Sequence, residues 1–214
     1  MIYVIGGDGC DAQIGVDLLA RMGIAARGLP ISNSPSDYRD ILARVPLIDD
    51  YILEKLRPIQ ADVFLVFCNT LSFAVDWDRL ANKIQTPILS LSLVYNDFLA
   101  QYSSVGVVAC FEDTINNIRL FCDQNNRTTK TLSYAMVSLV EAVENNEPFV
   151  EDILHQLIET SAHLKAEAFV LGCTHFEDCD LARSPIDVIY PGKRLIQYAL
   201  NNGYIPDQYR MVAQ

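Results

Sequence analysis

Asp62-Val63-Phe64-Leu65-Val66-Phe67-Cys68-Asn69-Thr70 and Glu167-Ala168-Phe169-Val170-Leu171-Gly172-Cys173-Thr174-His175 decide how this chain is read. Each stretch opens on an acid, runs through apolar residues and reaches a cysteine with a threonine just beyond it. A short apolar run between polar residues is the pattern of a strand buried on both faces. The cysteine then falls at the strand's C-terminal end, where open α/β sheets hold ligands. The two stretches therefore predict two similar units, each offering one thiol.

Short strands and helices alternate outward from these anchors. Ile2 to Ile5 reads as the first strand, followed by the glycine-rich turn Gly6-Gly7-Asp8-Gly9-Cys10. Glycines there let the backbone turn sharply and approach a ligand. The spacing after Gly9 departs from the dinucleotide-binding fingerprint. Asp8 reads either as a turn residue or as a group facing substrate. A helix from about Asp11 would bury Ile14, Leu18, Leu19 and Met22, with Gly23 as its stop. Ala25 to Ile31 is a second strand, Ser32 to Asp37 a polar loop, and a helix after Asp37 is interrupted at Pro46. Arg39, at the start of that region, reads by itself as a solvated surface charge. Beyond the first cysteine strand, Thr86–Leu91 and Val105–Cys110 read as strands, with helices at Val94–Tyr102 and from Thr114. Asn125 to Lys130 is a polar loop near an edge strand. Ala135, Met136, Leu139, Val140 and Val143 have helical spacing. A further helix starts near Pro148, with Ile153, Leu154, Leu157 and Ile158 on its apolar face. Val188–Tyr190 is the last strand, and a helix runs through Leu195, Ile196 and Leu200.

This alternation predicts an α/β fold: two similar three-layer α/β domains with mostly parallel sheets and a cleft between them. The first domain is expected at 1–95, completed by 195–214, and the second at 96–194. At 214 residues, half of them hydrophobic, the chain can bury a sizeable core. The formal net charge of −11 disfavours nonspecific binding to nucleic acid or to an anionic membrane. A secretory leader and a long uncharged apolar segment are both missing from the pattern, so a cytoplasmic location is expected. The six cysteines, Cys10, Cys68, Cys110, Cys122, Cys173 and Cys179, read as thiols in a reducing compartment rather than a disulfide framework.

Cys68 and Cys173 each have a bland reading as a small buried hydrophobe. Their neighbours argue for more. Asn69 and Thr70 offer an amide and a hydroxyl beside the first thiol. Thr174 offers a hydroxyl and His175 a proton-carrying imidazole beside the second. Such donors suit a carboxylate and favour a thiolate. Two opposed thiols suit reversible proton transfer at carbon, one sulfur taking the α-proton from one face while the other delivers a proton to the opposite face. An ordinary thiol titrates near pH 8.5, close enough to neutrality for either role. A lysine in a recognisable context for an internal aldimine is lacking, and the reading calls for no cofactor. Zinc held by Cys68, Cys173 and His175 is the metal alternative, without a close Cys-x-x-Cys pair to support it. His155 and His163 fall in a predicted helix and need no special role.

These residues resemble the aspartate/glutamate racemase family. Cys68-Asn69-Thr70 is similar to its first catalytic motif, Leu171-Gly172-Cys173-Thr174-His175 to its second, and Gly6-Gly7-Asp8-Gly9-Cys10 to the turn after its first strand. The resemblance implies two α/β domains, an active site between them, no pyridoxal phosphate and a homodimer. It implies that Cys68 and Cys173 are the acid–base pair, with Asp8 and His175 assisting. Gly7, Asn69, Thr70, Thr114 and Thr174 would contact a small acidic amino acid. Asn33-Ser34-Pro35-Ser36-Asp37-Tyr38-Arg39 resembles the loop that supplies an arginine to the substrate's side-chain carboxylate, which makes Arg39 a substrate-binding candidate. The Gly6–Gly9 turn is closer to aspartate racemases, whereas His175 is closer to glutamate racemases. Cys10 stands where the aspartate-type turn usually has proline, and Cys110 where a threonine is usual. A related maleate-type isomerase or decarboxylase, and a noncatalytic protein that binds acidic amino acids, are the competing readings.

Overall fold

Parallel β-strands flanked by helices build two compact units in a computed structural model of the chain. The structure describes residues 1–33, 35–43, 48–124 and 129–209, with the side chains of Pro35, Ser36, Arg39 and Asp207 excepted. The predicted break at Pro46 and residues 125–128 of the predicted polar loop lie outside the described residues. One unit comprises Met1–Leu93 with Gly192–Gln214, and the other Val94–Pro191.

Unit 1 runs β1 (Ile2–Gly6), α1 (Gly9–Arg21), β2 (Ala26–Pro30), α2 (Pro35–Ala43), α3 (Ile48–Leu56), β3 (Val63–Val66), α4 (Asn69–Ala74), α5 (Trp77–Ile84) and β4 (Ile88–Ser90). Its four strands lie in the order β2-β1-β3-β4, and each neighbouring pair is parallel. Ile2 pairs with Ala26 on one side and Val63 on the other, and Leu65 pairs with Leu89. All four residues of β3 are buried, as a strand covered on both faces requires. Gly15 lets α1 sit close on this sheet: a Cβ there would come within 2.6 Å of Val4 Cγ1 and 2.9 Å of the Phe67 ring. Leu18 and Leu19 are buried as expected, but Met22 is not. It caps the end of α1 with 48% of its surface exposed, because the helix turns it past the edge of the sheet-facing stripe. Gly23, at φ 72°, then takes the left-handed conformation that closes the turn.

The chain passes through α6 (Leu91–Leu99) into unit 2. There follow β5 (Ser104–Ala109), α7 (Glu112–Gln124), β6 (Lys130–Ala135), α8 (Val137–Glu144), α9 (Val150–His163), β7 (Ala168–Leu171), a 3₁₀ turn at Thr174–Asp178 and β8 (Asp187–Ile189). The order β6-β5-β7-β8 repeats the winding of the first sheet, again with parallel pairs. Val108, Leu139, Leu154, Ile158, Phe169, Leu171 and Phe176 form its core. Ala135 and Met136, predicted to be helical, instead close β6 and cap α8. β6 is an edge strand paired only with β5, and none of its residues is fully buried, so it lacks the apolar run that marks β3 and β7. Pro148 stands just before α9, whose N-cap is Phe149. Finally α10 (Pro191–Asn201) returns the chain to unit 1, followed by a 3₁₀ turn at Asp207–Tyr209. Leu195, Ile196 and Ala199 are buried there, and Tyr209 O accepts from Ala25 N at 3.1 Å.

Candidate active site

Strand order alone marks one end of each sheet. In unit 1 the winding reverses between β1 and β3, and in unit 2 between β5 and β7. Ligands bind beyond the C-terminal ends of strands at such switch points. The segments leaving β1 and β3 carry Gly7 and Cys68, and those leaving β5 and β7 carry Cys110 and Cys173. Cys68 has extended backbone (φ −151°, ψ 122°) and caps α4, while Cys173 (φ −133°, ψ 131°) caps the 3₁₀ turn. Their carbonyls start the following turns, Cys68 O accepting from Ser72 N at 3.0 Å and Cys173 O from Phe176 N at 3.2 Å. Both thiols are thus fixed by the same strand-to-turn geometry.

Around Cys68 the setting is buried. Tyr38, on α2, places its hydroxyl 3.3 Å from the Cys68 sulfur, and 95% of its own surface is covered. Burial pushes the Tyr38 phenol well above its ordinary range. The Cys68 sulfur and the Asp11 carboxylate push the same way, and a hydrogen bond with Thr70 pulls it down. Asp11 is buried in the first turn of α1 and accepts from Gly7 N at 3.2 Å. Gly7 is where these groups converge. A Cβ on it would lie 3.0 Å from Asp11 Oδ2, 3.2 Å from Cys68 Sγ and 3.2 Å from Tyr38 Cζ. Asp8 is the N-cap of α1, its Oδ1 accepting from Cys10 N at 2.9 Å and Asp11 N at 3.1 Å. That capping holds the helix turn that carries Asp11.

Around Cys173 the partners are different. His175 Nδ1 lies 3.4 Å from the sulfur and Nε2 lies 3.1 Å from Glu144 Oε1, at the end of α8. The ring is buried, whereas Glu144 is partly open to solvent. Thiol, imidazole and carboxylate thus form a path along which a proton can pass between sulfur and solvent. Glu177, two residues further on, is fully buried. Burial raises the Tyr95 phenol well above its ordinary range, with Glu177, Cys122 and Cys173 adding to it in that order.

The structure places Asn69 and Thr70 in the first turn of α4, Thr174 at the start of the 3₁₀ turn and Thr114 in the first turn of α7, all buried. Arg39 lies on α2, with its side chain outside the described residues. Sequence reading missed Tyr38, Asp11 and Glu144 as thiol neighbours or relay members. No disulfide joins any of the six cysteines, and among the described residues no helix is long and apolar enough to cross a membrane.

No family model matches the chain. It is 28% identical over 153 residues to the glutamate racemase of Deinococcus radiodurans, a match covering 68% of this chain and 50% of that protein. The chain spans about half the length of the curated relatives it matches. Its fold matches glutamate racemase from Campylobacter jejuni with TM-score 0.66 and 17% identity, over 94% of this chain and 86% of that one. Picrophilus torridus aspartate racemase matches with TM-score 0.64 and 16% identity, over 98% and 97%. The chain is similar to glutamate racemases in sequence, and to glutamate and aspartate racemases in fold.

Proposed function

We propose that the chain is a cofactor-independent racemase that inverts the α-carbon of aspartate, glutamate or both, with Cys68 and Cys173 as its acid–base pair. The observation that supports this most is the repeated placement of a thiol at the end of the third strand of each sheet, each within reach of a proton-bearing side chain. In this reading one cysteine is a thiolate and removes the α-proton, while the other is a thiol and delivers a proton to the opposite face. The stereocentre inverts, no atoms are gained or lost, and the two sulfurs exchange protonation states. His175, backed by Glu144, resets Cys173 between turnovers. Asn69, Thr70, Thr114, Thr174 and the Gly7 backbone hold the α-carboxylate and α-amino group. Arg39 pairs with the distal carboxylate, and Asp8 acts by fixing the turn that carries Gly7 and Asp11. Preorganised donors in a site closed to bulk water are what such a weakly acidic α-proton demands. The resemblance to the racemases adds the proposals of a homodimer and a cytoplasmic location.

The test is proton NMR in deuterated buffer with aspartate, glutamate, maleate and an arylmalonate as separate substrates. The expected result is α-deuterium incorporation together with the mirror-image product for aspartate or glutamate. Maleate conversion or arylmalonate decarboxylation without α-exchange would replace this reading with the related isomerase or decarboxylase. Tight amino-acid binding with no exchange would leave a binding protein.

A further inference from the structure

Tyr38 comes from α2, thirty residues before Cys68, yet its hydroxyl stands against the sulfur. Both side chains are buried, so bulk water competes little for this contact. We infer that Tyr38 is a positioning residue whose hydroxyl donates a hydrogen bond to the Cys68 thiolate and holds that sulfur as the base; its bearing on catalysis rests on the racemase reading above.

Three observations support the assignment. A thiolate has no proton to give, so in a Tyr38–Cys68 hydrogen bond the neutral phenol is the donor. Burial raises the phenol's pKa, which keeps that proton in place through the neutral range. Thr70, hydrogen-bonded to the same hydroxyl, can donate to the phenolic oxygen and leave its single proton directed at sulfur. Asp11 and Asp8 are ionisable groups at the start of α1. Asp8 turns Oδ1 to the Cys10 and Asp11 N–H groups. The Asp11 carboxylate reaches the same space over Gly7, and like charge there disfavours a thiolate. Tyr38 supplies the opposing influence, because a hydrogen bond to an ionised acceptor is stronger than one to a neutral thiol. In unit 2 the thiol's partner is of another kind: Cys173 meets His175.

The experiment reads Cys68 directly. The full chain is alkylated with iodoacetamide across a range of pH, and the rate at Cys68 is followed by mass spectrometry of its own peptide. Tyr38→Phe removes only the hydroxyl and is expected to raise the Cys68 titration midpoint by about one pH unit. The Cys173 midpoint stays put, and thermal melting verifies the fold. Replacing Tyr38 with 3-fluorotyrosine keeps the hydroxyl, strengthens it as a donor and is expected to lower the midpoint; it carries the test should the phenylalanine variant unfold. A Cys68 midpoint that moves in neither folded variant overturns the assignment. Because alkylation needs no turnover, absence of α-deuterium exchange counts against the racemase reading alone.

Discussion

Unit 1 and unit 2 present their thiols at equivalent strand ends and surround them with unlike chemistry. Cys68 sits beside a buried phenol and near a buried carboxylate, both reaching it from helices earlier in the chain. Cys173 sits beside an imidazole two residues away that leads through Glu144 toward solvent. The shared strand order accounts for where the sulfurs stand. The side chains around them differ, and in the proposed reading Tyr38 holds a thiolate in unit 1 while His175 and Glu144 pass a proton in unit 2. The proposed reaction would need each sulfur to take either role, in two unlike settings.

The sharpest way to break this comparison is to remove each sulfur in turn. Cys68→Ala and Cys173→Ala should each lower racemisation by about a thousandfold or more, followed by chiral chromatography. Full activity in either variant would end the two-base proposal. His175→Ala tests whether unit 2 depends on its relay; kcat should fall by about a hundredfold, and Glu144→Gln by less, since Glu144 acts only through the ring.

Glycines compare the backbones of the two sites. A Cβ at Gly172 would meet the Val108 carbonyl oxygen at 2.8 Å, an obstacle in the sheet itself, whereas at Gly7 it meets side-chain atoms at 3.0 to 3.2 Å. Gly172→Ala should therefore destabilise more, toward the upper end of about 1–3 kcal/mol, and Gly7→Ala toward the lower end while displacing the Cys68 sulfur. Denaturant melts give both values, and the reverse order would contradict this account of the packing. Asp8→Ala, which removes the cap of α1, should cost about 1 kcal/mol in the same melts.

The smallest effect near neutrality concerns the buried phenols. Tyr38 and Tyr95 have folded-state pKa values raised above the unfolded value near 10. Their contribution is fully present below that value and is lost as pH rises through it toward the folded pKa, because the unfolded chain gives up those protons first. Stability should be flat with respect to these groups up to about pH 9 and fall above about pH 10. Tyr95→Phe should reduce that alkaline loss, and an unchanged slope would remove Tyr95 as a contributor.

The fold and the two sulfurs were legible because β3 and β7 are covered on both faces and write continuous apolar runs ending on cysteine. β6 was not, since Lys130, Thr131 and Ser133 interrupt its apolar residues and leave no such run. His175 was visible by adjacency to Cys173. Tyr38 and Glu144 were not, because they meet Cys68 and His175 across thirty and thirty-one residues of chain. Asp11 was read only as a helix start, though the helix turn that buries it also brings its carboxylate to Gly7 N. Strand pattern thus locates the sulfurs, and helix placement brings Tyr38 and Glu144 to Cys68 and His175.

Unit 1 is written in two pieces, and that has a bearing on how the molecule comes off the ribosome. All of its strands are synthesised before unit 2 begins, yet Leu195, Ile196 and Ala199, buried in unit 1, are translated after it. Unit 2 is one uninterrupted stretch and can close as soon as it has emerged. The half made first is therefore the half finished last, and the nascent Cys68 segment must wait for α10 before its own unit is whole.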